Sequence, residues 1–294
     1  MKIYDAIVVG SGISGMSAAI YLKRANLDIL IFESYIPGGQ INNTSNVENY
    51  PGFTKVDGPT LVMNIHDQIN AMNIPLKYEK VINVTKEDNF IVETNKEKYI
   101  AKNVVIATGR TPNKLGIEDE FIGKGVSYCA LCDGALYKDL EVVVVGGGNS
   151  AFEESLYLSK ICKKVTILNR SENLRATKIL QEEVFSKQNI EIIYNCSIDS
   201  INSENEKIVS VNTNKGIINC SGIFIYIGLT PNLDYLNIDV NKENNYIIVD
   251  NSMRTNIKGL YACGDVIKKD VYQIITAASE GAIAATSLIK DREM

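Results

Sequence analysis

Ile3-Tyr4-Asp5-Ala6-Ile7-Val8-Val9-Gly10-Ser11-Gly12-Ile13-Ser14-Gly15 is the stretch whose reading decides the fold. Residues 3–9 form an apolar run of strand length, and a helical run from Met16 to about Ala25 follows the glycines. A second strand, Asp28 to Phe32, ends on Glu33. Strand, G-x-G-x-x-G, helix, strand is the order of a βαβ unit that binds a dinucleotide. The glycines let the backbone approach a pyrophosphate at the helix N-terminus. Glu33 follows Gly15 by 18 positions and is placed to accept hydrogen bonds from ribose hydroxyls.

The pattern then repeats. From Pro112 it restarts, with a valine-rich strand at 141–145, the turn Gly146-Gly147-Gly148-Asn149-Ser150-Ala151, a helix to about Lys160 and a strand at Lys164–Leu168. This G-x-G-x-x-A unit makes the chain a loose internal repeat. Between the two units lie a helix at 59–72 and three strand-like runs near Lys80–Val84, Asn89–Glu93 and Lys98–Ala101. A further, separate strand ends in Val105-Ile106-Ala107-Thr108-Gly109. After the second unit come a helix at about 176–188, a strand at 190–195 and a strand-rich stretch, and a helix from Gln273 to about Lys290 closes the chain. Thr108-Gly109-Arg110-Thr111-Pro112-Asn113 is echoed by Ile227-Gly228-Leu229-Thr230-Pro231-Asn232, and the echoes read as a pair of hinges. The expected fold class is α/β, with two Rossmann-like, three-layer ββα domains, the second inserted in the first. Residues 1–112 and 233–294 form one domain and 113–232 the other.

Composition narrows the functional classes. The chain has 294 residues, 45% hydrophobic and 22% charged, with a net charge of −5. Basic residues are dispersed, which argues against nucleic acid as a partner. No apolar run reaches the roughly 18 residues of a membrane span, and the cytoplasm is the expected location. Six cysteines are too few and too scattered for a secreted disulfide framework. Cys162, Cys196, Cys220 and Cys263 read as buried thiols. One CxxC pair and a single histidine, His66, do not make a zinc site, so no metal is expected. With no histidine in the last third, disulfide reductases built on a C-terminal His–Glu pair are excluded, and serine-hydrolase triads become improbable.

The chemistry is expected at Ser127-Tyr128-Cys129-Ala130-Leu131-Cys132-Asp133-Gly134. Two thiols three residues apart close a small, readily reduced ring, and the adjacent carboxylate can hand protons to the thiolates. Thioredoxin itself is excluded by length and by the absence of tryptophan.

Taken in order, Gly10–Gly15, Gly39-Gln40, Val47–Gly52, Ala107-Thr108-Gly109, Cys129-Ala130-Leu131-Cys132-Asp133, Gly146–Ala151 and Gly264-Asp265 resemble the low-molecular-weight thioredoxin reductases from end to end. The resemblance implies FAD held by Gly10, Gly12, Ser14, Gly15, Glu33, Gly39, Gln40, Asn49, Thr108, Gly109, Asp265, Gln273 and Ile274. It also implies that Cys132 lies next to the flavin, that Cys129 attacks the disulfide of thioredoxin, and that Asp133 is the proton donor and acceptor. A homodimer, with the disulfide-bearing domain rotating against the FAD domain, is expected on the same ground.

The departures cluster in one segment. Where NADPH-using members continue with His-Arg-Arg-x-x-x-Arg, this chain has Asn169-Arg170-Ser171-Glu172-Asn173-Leu174-Arg175. Losing one charged phosphate contact of roughly 1.5–3 kcal/mol weakens NADPH binding about ten- to a hundredfold. Such decay resembles the relatives that take electrons from reduced ferredoxin, which is the expected donor. NADPH held by Gly146, Gly148, Ser150, Ala151, Arg170 and Arg175, or NADH using Glu172, are the alternatives. Basic segments for an acidic ferredoxin are Lys23-Arg24, Lys77 with Lys80, and Lys268-Lys269. Tyr272 stands where the family usually carries arginine, either stacked near the flavin or the domain interface, or as a neutral surface substitution. Two other classes compete. A ferredoxin–NADP reductase of this fold has no need of the CxxC pair, and a flavin-bound redox sensor would leave it inert.

Overall fold

The computed structural model describes residues 2–44, 47–231 and 233–293. The chain divides into two compact units, Met1–Thr111 with Thr230–Met294, and Pro112–Leu229. Both crossings fall within the two threonine-proline echoes; Asn232, at the end of the second, lies outside the described residues.

Unit 1 starts as β1 (Ile3–Val9), α1 (Ile13–Arg24) and β2 (Ile29–Glu33), followed by α2 (Gly58–Ala71) and β3 (Leu76–Tyr78). β4 (Val81–Lys86), β5 (Phe90–Thr94) and β6 (Lys98–Ile106) complete its first pass. The strands line up as β3-β2-β1-β6-β5-β4, parallel from β3 to β6 and antiparallel beyond. The sequence pattern splits β6 into two strands at Lys102-Asn103, but the strand is continuous. Those polar residues stay within the ladder because Lys102 Nζ donates to Asp5 Oδ1 (3.1 Å) and Asn103 Nδ2 donates to Asp5 O (3.0 Å). Three-residue β3 is too short to signal itself by alternation.

Unit 2 holds β7 (Val126–Ser127), α3 (Ala130–Asp133), β8 (Glu141–Val145), α4 (Asn149–Leu158), β9 (Lys164–Asn169), α5 (Lys178–Phe185) and β10 (Ile190–Tyr194). An antiparallel meander of β11 (Ile198–Glu204), β12 (Lys207–Thr213) and β13 (Gly216–Asn219) leads to β14 (Gly222–Ile225). The parallel sheet runs β10-β9-β8-β14-β7. The chain then returns to unit 1, where β15 (Leu260–Ala262) pairs parallel with β6 and α6 (Ile274–Glu293) packs on α1.

Each parallel sheet is covered on both faces, which is why its strands read as unbroken apolar runs. In unit 1, Ala6, Val8, Ile29 and Ile31 face Met16, Ala19 and Leu22 of α1 and Ala284 and Leu288 of α6. Ile7, Val9, Leu30 and Phe32 face Val84, Phe90 and Val92. In unit 2, Val142 and Val144 meet Phe152 and Leu158 of α4, while Val143 and Val145 meet Ile208 and Val211 of the meander. These are two Rossmann-like α/β domains with helices on one face and antiparallel strands on the other. Among the described residues, no helix is long and apolar enough to cross a membrane.

Candidate active site

In unit 1 the chain turns from β1 into α1 through Gly10, whose φ of +101° favours glycine. A Cβ there would lie 2.5 Å from Ala107 O, and a Cβ on Gly15 only 2.0 Å from Gly10 O. Those two glycines close the turn against the sheet. Gly12, the N-cap of α1, has nothing within 4 Å of its Cβ position and offers no side chain to the first amides. Open space at an uncapped helix N-terminus is what a pyrophosphate requires. Glu33 Oε2 accepts from Ser11 N (3.1 Å) and Ser11 Oγ (2.7 Å), so the carboxylate is held at the turn.

The other sequence-predicted FAD residues gather from distant segments. Gly38 N donates to Ser11 O (2.8 Å), which brings the short helical segment Gly39–Asn43, with Gly39 and exposed Gln40, beside the turn. Ser14 is buried, and a Cβ on Gly264 would meet its Oγ at 2.3 Å, so Asp265 sits by the first turn of α1. Asn49 Nδ2 donates to Gln273 Oε1 (3.0 Å), and Ile274 is the first residue of α6. Thr108 Oγ1 lies 3.0 Å from Tyr235 Oη, and Gly109 has φ +62°.

Sequence reasoning missed Arg110. Its guanidinium donates to Asp265 Oδ2 (2.7 Å), and among the described residues its Nε is buried without a hydrogen-bond partner. A buried donor left unmet beside Asp265 fits a bound ligand oxygen. Tyr272 is half-buried and stacks on this guanidinium, 4.2 Å from ring centroid to Cζ, which places it against Arg110. Lys269 Nζ bridges Asp265 (3.4 Å) and Glu280 (2.8 Å), and Glu280 accepts the Gly264 amide (2.9 Å). Burial also pushes the Cys263 thiol up to about 12, so it stays protonated.

In unit 2, Cys129 and Cys132 form a disulfide with 5.3 Å between Cα atoms. Cys129 caps α3, and its Sγ accepts from Cys132 N at 3.1 Å. Cys129 is half-buried and Cys132 exposed. Asp133 closes α3, and its Oδ2 accepts from Ser127 Oγ (2.6 Å). Ser127 Oγ in turn accepts from Cys129 N (3.0 Å).

Two further groups hold the loop, and neither was legible in the sequence. Fully buried Glu118 accepts from Tyr128 Oη (2.6 Å), Leu115 N (2.7 Å) and Ile117 N (2.9 Å). Desolvation opposes its charge, but the hydrogen bonds outweigh that and hold its carboxyl below the usual range. Tyr226 Oη accepts from Ala130 N (2.8 Å), and burial raises that phenol's pKa. Tyr226 reaches the loop from 96 positions away, which no local pattern reveals.

The second glycine turn keeps its form. Gly146 has φ +146° and no room for a Cβ, which would lie 2.3 Å from Tyr226 O, whereas Gly148 caps α4 with nothing within 4 Å. Ser150 is exposed and Ala151 buried. Asn169 is buried and turns its amide inward, Nδ2 donating to Ser171 O (2.7 Å) and Asn173 O (3.2 Å). Arg175 N and Ala176 N both donate to Gly147 O, at 2.7 and 3.0 Å, pinning the segment over the turn. Arg170 and Arg175 are exposed.

The pyridine nucleotide-disulphide oxidoreductase family matches residues 4–281. The thioredoxin reductase of Listeria monocytogenes is 40% identical over 98% of this chain and 94% of its own. This chain belongs to the low-molecular-weight thioredoxin reductase family. A member of that family from Lactococcus lactis has a solved structure that matches at TM-score 0.90 and 39% identity, covering 98% of each chain. The ferredoxin-flavin thioredoxin reductase of Clostridium acetobutylicum is 31% identical, covering 100% of this chain and 99% of that one, at TM-score 0.56.

Proposed function

We propose that this chain is an FAD-containing thioredoxin reductase that takes electrons from NADPH and passes them through Cys129 and Cys132 to thioredoxin. The observation that carries the reading is the Cys129–Cys132 disulfide, with the Cys132 amide on Cys129 Sγ and Asp133 at the end of the same turn. Unit 1 is the FAD domain in this reading, and unit 2 receives the nicotinamide.

Bound FAD supplies the electron pair that opens the disulfide to a dithiol, with two protons taken up. Exposure alone would choose Cys132 as the attacking sulfur. The amide donated to Cys129 Sγ supports Cys129 instead, because the same donor kept after reduction would favour the thiolate, the form that attacks. Cys129 displaces one sulfur of thioredoxin's disulfide and forms a mixed disulfide. Cys132 then attacks Cys129 Sγ, restoring the internal disulfide and releasing reduced thioredoxin. Asp133 gives the departing thiolate its proton.

NADPH replaces ferredoxin as the favoured donor for three reasons. The inward amide of Asn169 leaves the strand end without the carboxylate that NADH would use, while Arg170 and Arg175 are exposed beside it. Two of the three basic segments suited to a ferredoxin carry internal pairs. Lys77 donates to Glu97 (3.2 Å) and Tyr99 (2.7 Å), Lys268 pairs with Glu243, and Lys269 with Glu280. Identity is also higher with the Listeria enzyme, 40%, than with the Clostridium one, 31%. Ferredoxin remains the second reading, favoured by Asn169 and Ser171 where the family carries histidine and arginine.

An anaerobic titration tests both. NADPH at micromolar levels should bleach the flavin band rapidly and thioredoxin should then be reduced; bleaching by reduced ferredoxin alone would reverse the choice of donor. Cys129→Ser should keep a reducible flavin and lose thioredoxin reduction by more than about a thousandfold.

A further inference from the structure

Ser127 does two things at once in unit 2. It ends β7, is 5% exposed, and is fixed by the parallel pairing of that strand with β14, where it lies opposite Phe224. Its Oγ donates to Asp133 Oδ2 at 2.6 Å, in the range of a charge-assisted O–H···O⁻ bond. The same oxygen accepts the Cys129 amide at 3.0 Å and lies 3.2 Å from Cys129 O. One hydroxyl, anchored by a sheet strand, therefore ties the carboxylate to the backbone of the sulfur it serves.

We propose that Ser127 is the positioning residue for proton transfer at the disulfide. This rests on the reading of Asp133 as the proton donor. A carboxylate on a short helical turn has free rotation about its side-chain bonds, and a donated hydrogen bond to one oxygen removes it. The serine therefore sets where the carboxylate points. Tyr128, held by buried Glu118, and Ala130, held by Tyr226, flank Cys129, so the loop keeps its shape when the serine is changed. That separates the effect of the hydroxyl from a collapse of the loop.

The test compares Ser127→Ala, Ser127→Thr and Asp133→Asn as full-length holoenzymes, with FAD content and reduction of the flavin by dithionite as controls. Ser127→Ala should lower kcat for thioredoxin reduction about tenfold at pH 7 and leave KM for thioredoxin within about twofold. Ser127→Thr, which keeps the hydroxyl, should restore kcat. Ser127→Ala in the Asp133→Asn background should cost nothing further. A Ser127→Ala enzyme with the parent's kcat, beside a slowed Asp133→Asn, overturns the inference alone. An Asp133→Asn enzyme of full activity overturns the role of Asp133 and the inference with it.

Discussion

The two glycine turns share a plan and diverge at the end of the following strand. In unit 1, Glu33 leaves β2 as a carboxylate and is held at the turn by Ser11. In unit 2, Asn169 leaves β9 as an amide, and a Cβ on Gly147 would lie 2.2 Å from its Oδ1. The helices differ too. α1 carries Ser17 and Ala18 where α4 carries Glu153 and Glu154, because α1 is covered by α6. A Cβ on Gly281 would lie 2.1 Å from Ser14 O, and Ser17 Oγ donates to Ala278 O (2.7 Å). One turn is built into a buried corner of its domain and tolerates little. The other keeps the same backbone turn, with open space at Gly148 and exposed side chains at Ser150, Arg170 and Arg175.

The largest test of that contrast is steric. Gly15→Ala forces a methyl against a backbone oxygen at 2.0 Å, and should strip FAD from the purified protein, with about a hundredfold loss of activity or more. Gly148→Ala puts its methyl in open space and should leave flavin content intact, raising KM for NADPH about tenfold through contact with the nucleotide. Flavin absorbance after gel filtration separates the two. Equal flavin loss in both variants would erase the contrast.

Charge at the second strand end comes next. Ser171→Arg should lower KM for NADPH about tenfold or more, and Arg170→Ala should raise it about tenfold with kcat unchanged. An enzyme fed by ferredoxin would ignore both changes.

Much of this was legible in the sequence because it is local. Both glycine turns, their strands and the CxxC pair are short motifs with fixed spacing. What was not legible depends on topology. Arg110 and Asp265 are 155 positions apart, and only the pairing of β15 with β6 brings the Gly264 turn to the Thr108-Gly109 turn. Ser127 lies within the motif itself, but an unremarkable serine acquires its role only when α3 turns Asp133 back over it. Asn169 was read as the first departure from the family's phosphate-binding segment, and the direction of its amide had no sequence signal. Tyr272 was read as stacked near the flavin or the domain interface, or as a surface substitution, and no nearby pattern announced the arginine it stacks on.

A smaller effect separates α4 from α1. Desolvation, reinforced by Glu153, raises the Glu154 carboxyl from 4.5 to about 7. The folded state therefore binds its proton more tightly than the unfolded chain, and the stability this contributes at low pH is lost as pH rises through about 7. Glu154→Gln should raise the urea midpoint at pH 8, by about 1–2 kcal/mol of unfolding free energy, and leave it unchanged at pH 4. A gain of equal size at both pH values would place the effect elsewhere.

The smallest expected effect is ionic. With Lys77, Lys268 and Lys269 paired internally, any reduction of the flavin by ferredoxin should vary less than about threefold between low and high salt. A steep salt dependence would restore the ferredoxin reading.

The return of the chain to unit 1 carries a consequence for synthesis. Unit 2 is continuous and has its whole core once Leu229 has been made. Unit 1 still lacks β15 and α6, so Met16, Ala19 and Leu22 of its first helix lack the cover of Ala284 and Leu288 until the last segment leaves the ribosome. The inserted half can be finished while the half that surrounds it still waits. Premature stops in the final 35 residues should therefore yield a folded disulfide domain attached to an aggregation-prone remnant, with no flavin colour.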